Sequence, residues 1–198
     1  MKSFIKHYLK FLVLTLVVLT LSSCSNVPDL SYKDIKKLQK PKQTLTIYYP
    51  VMRYNKKDSY LLAQKISFIK TNNMPKKAIE RLVTGQPRKD MVNTFIPVFN
   101  PKTRVLGVAI KKKIATVNFN HTFLDGKIVY ERQEGFAVAA IVNTMSQFPK
   151  VDKVIITVEG KTKGTVRGKK IEDFWGKGIL KNQPFSVKAN KNKKTKES

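Results

Sequence analysis

Apolar and polar positions change their spacing several times along this chain, and each change marks an element. Phe11 to Leu21 runs without a charge, a block too short to cross a bilayer comfortably, which takes roughly 20 apolar residues. Asn26 to about Gln43 is polar and lysine-rich with Pro28 and Pro41, and it reads as a tether. Thr44-Leu45-Thr46-Ile47-Tyr48-Tyr49 then alternates, predicting a strand that Pro50 ends. Tyr60 to Ile69 is a second strand candidate, although Leu61-Leu62-Ala63 also suits a helix. Asn73-Met74-Pro75 opens a helix whose apolar face is Ala78, Ile79, Leu82 and Val83, with Gly85 as its stop.

Farther on, Arg104 to Ile110 and Ile114 to Phe119 are β-rich runs joined by Lys111-Lys112-Lys113, a hairpin pattern. Glu134 to Phe148 carries the strongest helical spacing, with Val138, Ile141, Val142, Met145 and Phe148 on one stripe and Pro149 behind it. Val151 to Val158 reads as a buried strand closed by Glu159-Gly160. Strand, strand, helix, hairpin, helix, strand predicts an α/β fold of the α+β kind. One small domain with a mixed sheet and two main helices packed on it satisfies that order. Asn143 and Gln147 fall opposite the apolar stripe of the second helix. They are expected to be solvated, or to meet a partner docked on that face.

Composition supports a packed core, with 41% hydrophobic residues that include eleven Phe and seven Tyr. Cys24 is the single cysteine. Lys2, Lys6 and Lys10 precede the apolar block without an acidic residue, and Leu21-Ser22-Ser23-Cys24 closes it. That is a charged n-region, an h-region and a small-residue cleavage site. Those four residues resemble the lipobox of bacterial lipoproteins. The resemblance implies removal of residues 1–23 and a diacylglyceryl group on the Cys24 thiol. Two acyl chains suffice for stable anchoring. A plain secretory signal and an uncleaved anchor are the alternatives. The expected segments are therefore a signal (1–23), a tether (24–43), a folded domain (44–165), an extension (166–187) and a basic tail (188–198).

Charge is the next constraint. The formal net charge is +26, and it is +23 for residues 24–198 once the three signal lysines are removed. Such a field attracts polyanions and anionic membrane faces. Five lysines in Lys188–Ser198, with no aromatic, make a basic tail that reads as disordered. Lysine dominates over arginine and is scattered, which favours solvated surface charge over a functional basic patch. A polyanion partner, if there is one, would be anionic wall polymer or lipid, and no specific nucleic acid is expected.

Candidate chemistry is sparse. Behind the signal, His121 is the one histidine, in a predicted loop beside Asn120 and Thr122. No Gly-x-Ser-x-Gly supplies a nucleophile elbow, and no His-Glu-x-x-His or second cysteine offers a metal set. Gly164 to Gly168-Lys169 imitates a phosphate loop, but three residues separate the glycines where the motif needs four, and Lys170 stands where Ser or Thr is required. Glu131, Glu134, Glu159, Glu172 and Asp173 read as ordinary surface charge. No enzyme, metal or cofactor is expected. Ile171, Phe174, Trp175, Ile179 and Leu180 either fold back onto the sheet or form an exposed patch, packing being the favoured reading.

Val105-Leu106-Gly107-Val108, Ala115-Thr116-Val117-Asn118-Phe119, His121-Thr122-Phe123-Leu124 and Ala140 to Pro149 leading into Val151-Asp152-Lys153-Val154 together resemble the GerMN domain of bacterial sporulation and germination proteins. The likeness covers about 44–165. Lys111-Lys112-Lys113 departs from it where an acidic-glycine turn is frequent, as does Asn118 where an acidic residue is common. The resemblance implies a non-enzymatic binding or assembly module. By it, the protein would sit at the outer face of the cytoplasmic membrane, in an envelope or sporulation complex or a self-assembly.

Overall fold

The computed structural model describes residues 40–51, 59–88, 97–125, 133–176 and 178–187. Cys24 with its lipobox, the tether up to Gln39 and the tail from Lys188 lie outside the described residues. Strand β1 (Lys42–Val51) pairs antiparallel with β2 (Tyr60–Ile69) in unbroken register from Lys42↔Ile69 to Val51↔Tyr60. The β-branched and aromatic residues at alternate positions settle the ambiguity of Leu61-Leu62-Ala63 in favour of a strand. Leu45, Ile47 and Tyr49 face inward and are buried.

Helix α1 (Met74–Thr84) begins as its sequence predicts, with the Asn73 side chain accepting from Lys76 N at 3.0 Å. It ends where Gly85 N–H donates to Arg81 O at 2.9 Å. A Cβ at Gly85 would lie 2.3 Å from that carbonyl oxygen, so only glycine fits.

Strands β3 (Val105–Lys111) and β4 (Ile114–Phe119) form the expected hairpin. Its turn places Lys112 at φ 46° and Lys113 at φ 65°, two consecutive left-handed residues, as the tight hairpin turn requires. Helix α2 (Gln133–Met145) then returns the chain so that β5 (Lys153–Val158) runs parallel to β4. The helix stops at Met145, ahead of Pro149, and a tight turn carries the chain to Val151. Short strands β6 (Thr165–Val166) and β7 (Lys169–Lys170) make a hairpin of their own, and β8 (Phe185–Ser186) closes the main sheet in the order β3-β4-β5-β8.

The α+β class with two helices on mixed strands is what the structure shows. The strands divide into sheets, however: β1–β2 stands apart from the four-stranded sheet. Helix α2 lies between them, buried along Ala137, Val138, Ala140, Ile141, Val142, Thr144 and Met145. A helix packed on more than one side has no purely solvated face, which corrects the reading of Gln147. Its Oε1 accepts from Thr46 N and its Nε2 donates to Thr46 O, both at 2.9 Å. Thr144 Oγ1 accepts from Tyr48 N at 3.2 Å. Side chains at the C-terminal end of α2 and just past it thus complete the edge of β1 that β2 does not reach. Asn143, half-buried, bonds back to Ala139 O at 2.8 Å within its own helix.

Gln147→Leu leaves both polar groups of Thr46 without that partner. It should lower stability by about 2 kcal/mol, a fall of roughly 4–8 °C in midpoint for a domain of this size. Asn143→Leu should change the midpoint by less than about 2 °C, since a single peripheral bond is lost. Thermal denaturation of the two variants side by side checks the difference. Lys113→Gly, which relieves a left-handed Cβ, should instead raise stability by about 0.5–1 kcal/mol in the same measurement.

Candidate functional site

Parallel pairing of β4 and β5 brings their ends together at Phe119↔Val158, and the polar residues of the chain's chemistry gather just beyond. His121 opens a short 3₁₀ turn (His121–Leu124), and its Nδ1 lies 3.1 Å from Glu159 Oε1. Arg167 Nε stands 3.9 Å from the same carboxylate oxygen. The β6–β7 turn holds Arg167 there, at φ 47°, with Gly168 at φ 81°. Asn118 Oδ1 accepts from Gly160 N at 2.9 Å and from Thr157 Oγ1 at 3.1 Å. An amide oxygen therefore does here what a carboxylate oxygen would do, and the departure from an acidic residue leaves the turn intact. Lys169 Nζ meets Asp125 Oδ1 at 2.6 Å. His121 is thus the loop histidine its sequence context predicts, oriented by a carboxylate that it shares with Arg167.

Two open clefts flank this region. One of about 390 Å³ has Ile155, Leu180 and Pro184 on its apolar wall, with Thr162, Lys163 and Lys181 on its rim. Glu172 also borders it. The Glu172 carboxyl is held below the usual carboxylate range. Its own backbone N–H contributes most, then that of Gly164 at 2.9 Å, with Lys170 and Lys163 adding to the effect. A second cleft of about 440 Å³ runs past Leu124 and Phe174 to Lys169, Lys170 and Asp173. Lysines above apolar walls can hold an anionic group. Among the described residues no group of three or more His, Cys, Asp or Glu is placed to hold a metal ion.

Of the acidic candidates, Glu159 and Asp173 are exposed as expected, Glu172 is half-buried, and Glu131 lies outside the described residues. Glu134 is the correction, since it is only 2% exposed. It sits in the first turn of α2, where the helix dipole favours a negative charge, and its Oε1 accepts from Ile179 N at 3.0 Å. The carboxylate pins the C-terminal extension to the helix. Around it, Ile171, Phe174 and Leu180 are buried, and Phe174 stacks on Phe123 at 4.9 Å, which stacks in turn on Phe119 at 4.2 Å. These apolar residues of the extension pack; they do not form an exposed patch. The side chain of Trp175 lies outside the description. Gln183 was not singled out by its sequence context. Its Oε1 accepts from Ile156 N at 2.7 Å, and the one hint is the adjacent Pro184, which marks a turn.

Leu21, Ser22, Ser23 and Cys24, the candidate lipidation site, fall outside the described residues. Within them, no helix is long and apolar enough to cross a membrane.

A family model described as Germane, sporulation and spore germination, matches residues 43–164. The spore germination protein GerM of Bacillus subtilis is 29% identical over 105 residues, a stretch covering 52% of this chain and 28% of that protein. Among solved structures, the tandem GerMN domains of the B. subtilis sporulation protein GerM share 27% identity. That match covers 68% of this chain and 46% of the other, with a TM-score of 0.49. The first GerMN domain of the same protein gives 26% identity over 68% of this chain and 98% of its own, with a TM-score of 0.46.

The lowered Glu172 carboxyl has a consequence for acid stability. A group more acidic in the folded chain stabilises it above the ordinary value of 4.5, and the contribution disappears as pH falls through the lowered folded value. Glu172→Gln should therefore have a lower midpoint than the parent at about pH 7, and the two should converge as pH falls through the lowered folded value. Melting curves recorded across that range check the convergence.

Proposed function

We propose, from the premise that the chain belongs to the Germane family of sporulation and spore germination proteins, that it is a non-enzymatic assembly module. It works at the outer face of the cytoplasmic membrane, held by acyl chains on Cys24. The observation that carries this reading is the family match across residues 43–164, most of the folded part. The anchor is supported by the Leu21-Ser22-Ser23-Cys24 sequence behind a charged, apolar leader. The module's task is to bind a protein partner of a sporulation, germination or envelope complex, or further copies of itself.

A second reading is favoured by the charge of +23 on residues 24–198 and by the lysines of the tail. In it the protein is an electrostatic tether for anionic wall polymer or lipid, with Lys188–Ser198 as the main contact. Ionic strength separates the two. Polyanion binding weakens steeply with salt, because neutralised charges release counterions, whereas a packed protein interface does not.

A crosslinked pull-down of the tagged protein from native membranes, eluted across a salt gradient, tests both readings. One stoichiometric protein that survives high salt is the expected result. Release of anionic polymer alone at moderate salt replaces the assembly reading with the tether. In parallel, Cys24→Ala is expected to leave the membrane fraction on a carbonate wash. Retention of that variant would sink the lipid anchor.

A further inference from the structure

The outward side of the β1–β2 hairpin is marked by what it lacks. Register places Lys42 opposite Ile69, Thr44 opposite Ser67, Thr46 opposite Lys65 and Tyr48 opposite Ala63. Directly opposed residues share a face, and the inward set is the alternate one: Leu45, Ile47 and Tyr49. The outward face thus carries Lys42 and Lys65 beside Thr44, Ser67 and Ile69. Ile69 is 55% exposed, the most exposed large apolar side chain described. Lys40 and Lys70 stand exposed at the hairpin root, closed by the bond from Lys70 N to Pro41 O at 2.7 Å. From Lys40 to Asn73 the one acidic residue is Asp58, far along the chain from this root.

That root is also where the chain enters the domain. Residues 25–39 separate Cys24 from Lys40, and fifteen residues span at most about 55 Å. We propose that this hairpin face docks on the anionic phospholipid surface in which the anchor sits. Lys42 and Lys65 meet headgroup phosphates, and Ile69, directly opposite Lys42, enters the interface beside them. The inference rests on the lipid anchoring of Cys24 proposed above. The anchor confines the root near the bilayer and raises its effective concentration there. The lysines then set which face turns inward, each contributing about fivefold in surface partition. An exposed apolar side chain directly opposite a lysine suits the interface, where the cationic stem crosses apolar matter and its head stays in water. The domain is thereby oriented, with β1–β2 toward lipid.

The test uses the full-length protein processed in its own membrane, carrying Ser67→Cys labelled with an environment-sensitive fluorophore. An acylated Cys24 does not react with the label, and the mass of the N-terminal peptide reports the acyl adduct independently. With the adduct present, the probe should be quenched by brominated phosphatidylglycerol vesicles and several-fold less by brominated phosphatidylcholine vesicles. The difference should disappear in K42E/K65E and in Ile69→Glu, with the melting midpoint unchanged. Equal quenching in both lipids, or quenching indifferent to K42E/K65E, overturns the docking and leaves the anchor standing. A missing adduct overturns the anchor, and the docking with it. A probe response to soluble polyglycerol phosphate that matches the response to vesicles overturns it in favour of a wall polymer.

Discussion

A strand with one bare edge is an unfinished structure, and much of this fold follows from how its strands are finished. β1 has β2 on one side only, so the N–H and C=O of Thr46 on its other edge need partners. The Gln147 amide supplies both, donating and accepting as a neighbouring strand would. That requirement holds the C-terminal end of α2 against the hairpin. The rest of the helix is then enclosed between the hairpin and the four-stranded sheet, which is why its buried positions run almost round its circumference. Apolar burial gives the cohesion, and the glutamine sets the alignment.

The main sheet solves the same problem in the same way at its far side. β8 pairs with β5 only at Lys153 and Val154. Beyond that point the Gln183 amide takes over, accepting from Ile156 N and reaching Thr162 O at 3.4 Å. A short strand followed by a side-chain amide leaves little open edge for another chain to pair with. The extension that provides this cover is secured by the Phe119–Phe123–Phe174 stack and by Glu134 on Ile179 N. It is part of the core and contributes three of its largest fully buried side chains, Phe174, Ile171 and Leu180.

What could be read beforehand was what spacing encodes. Alternation exposed β1, β-rich runs about a charged turn exposed the β3–β4 pair, and a buried apolar run exposed β5, while Asn73, Pro75 and Gly85 bounded α1 with the chemistry those residues supply. Periodicity reports one preferred inner face, however, and α2 has neighbours on more than one side. Gln147 looked solvated because its partner is the backbone of a strand a hundred residues earlier, which has no side-chain signature. Glu134 looked like surface charge for a related reason: its partner is a backbone N–H in a segment with weak local pattern. The division of the strands among separate sheets escaped because pairing depends on register across long separations, which alternation alone does not specify. The candidate lipidation site was legible as a motif, since charge, apolar length and a lone cysteine are local features.

The charge acquires a direction once the acidic residues are placed. Glu80 pairs with Lys76 and Lys77, Asp125 with Lys169, Asp152 with Lys113, and Glu159 with His121 and Arg167. Asp173 lies 3.9 Å from Lys181, and Glu134 and Glu172 accept from backbone N–H groups. Each described carboxylate thus has a local partner, and they are concentrated from α1 onward. The hairpin that receives the tether has none among its described residues, while Lys42 and Lys65 remain on its outward face. A uniform excess of lysine would attract anions from every side without orienting the molecule. Among the described residues the carboxylates lie outside this hairpin, which leaves a charged face on it, and a face at the root of a tether can set how the domain is presented to its partners.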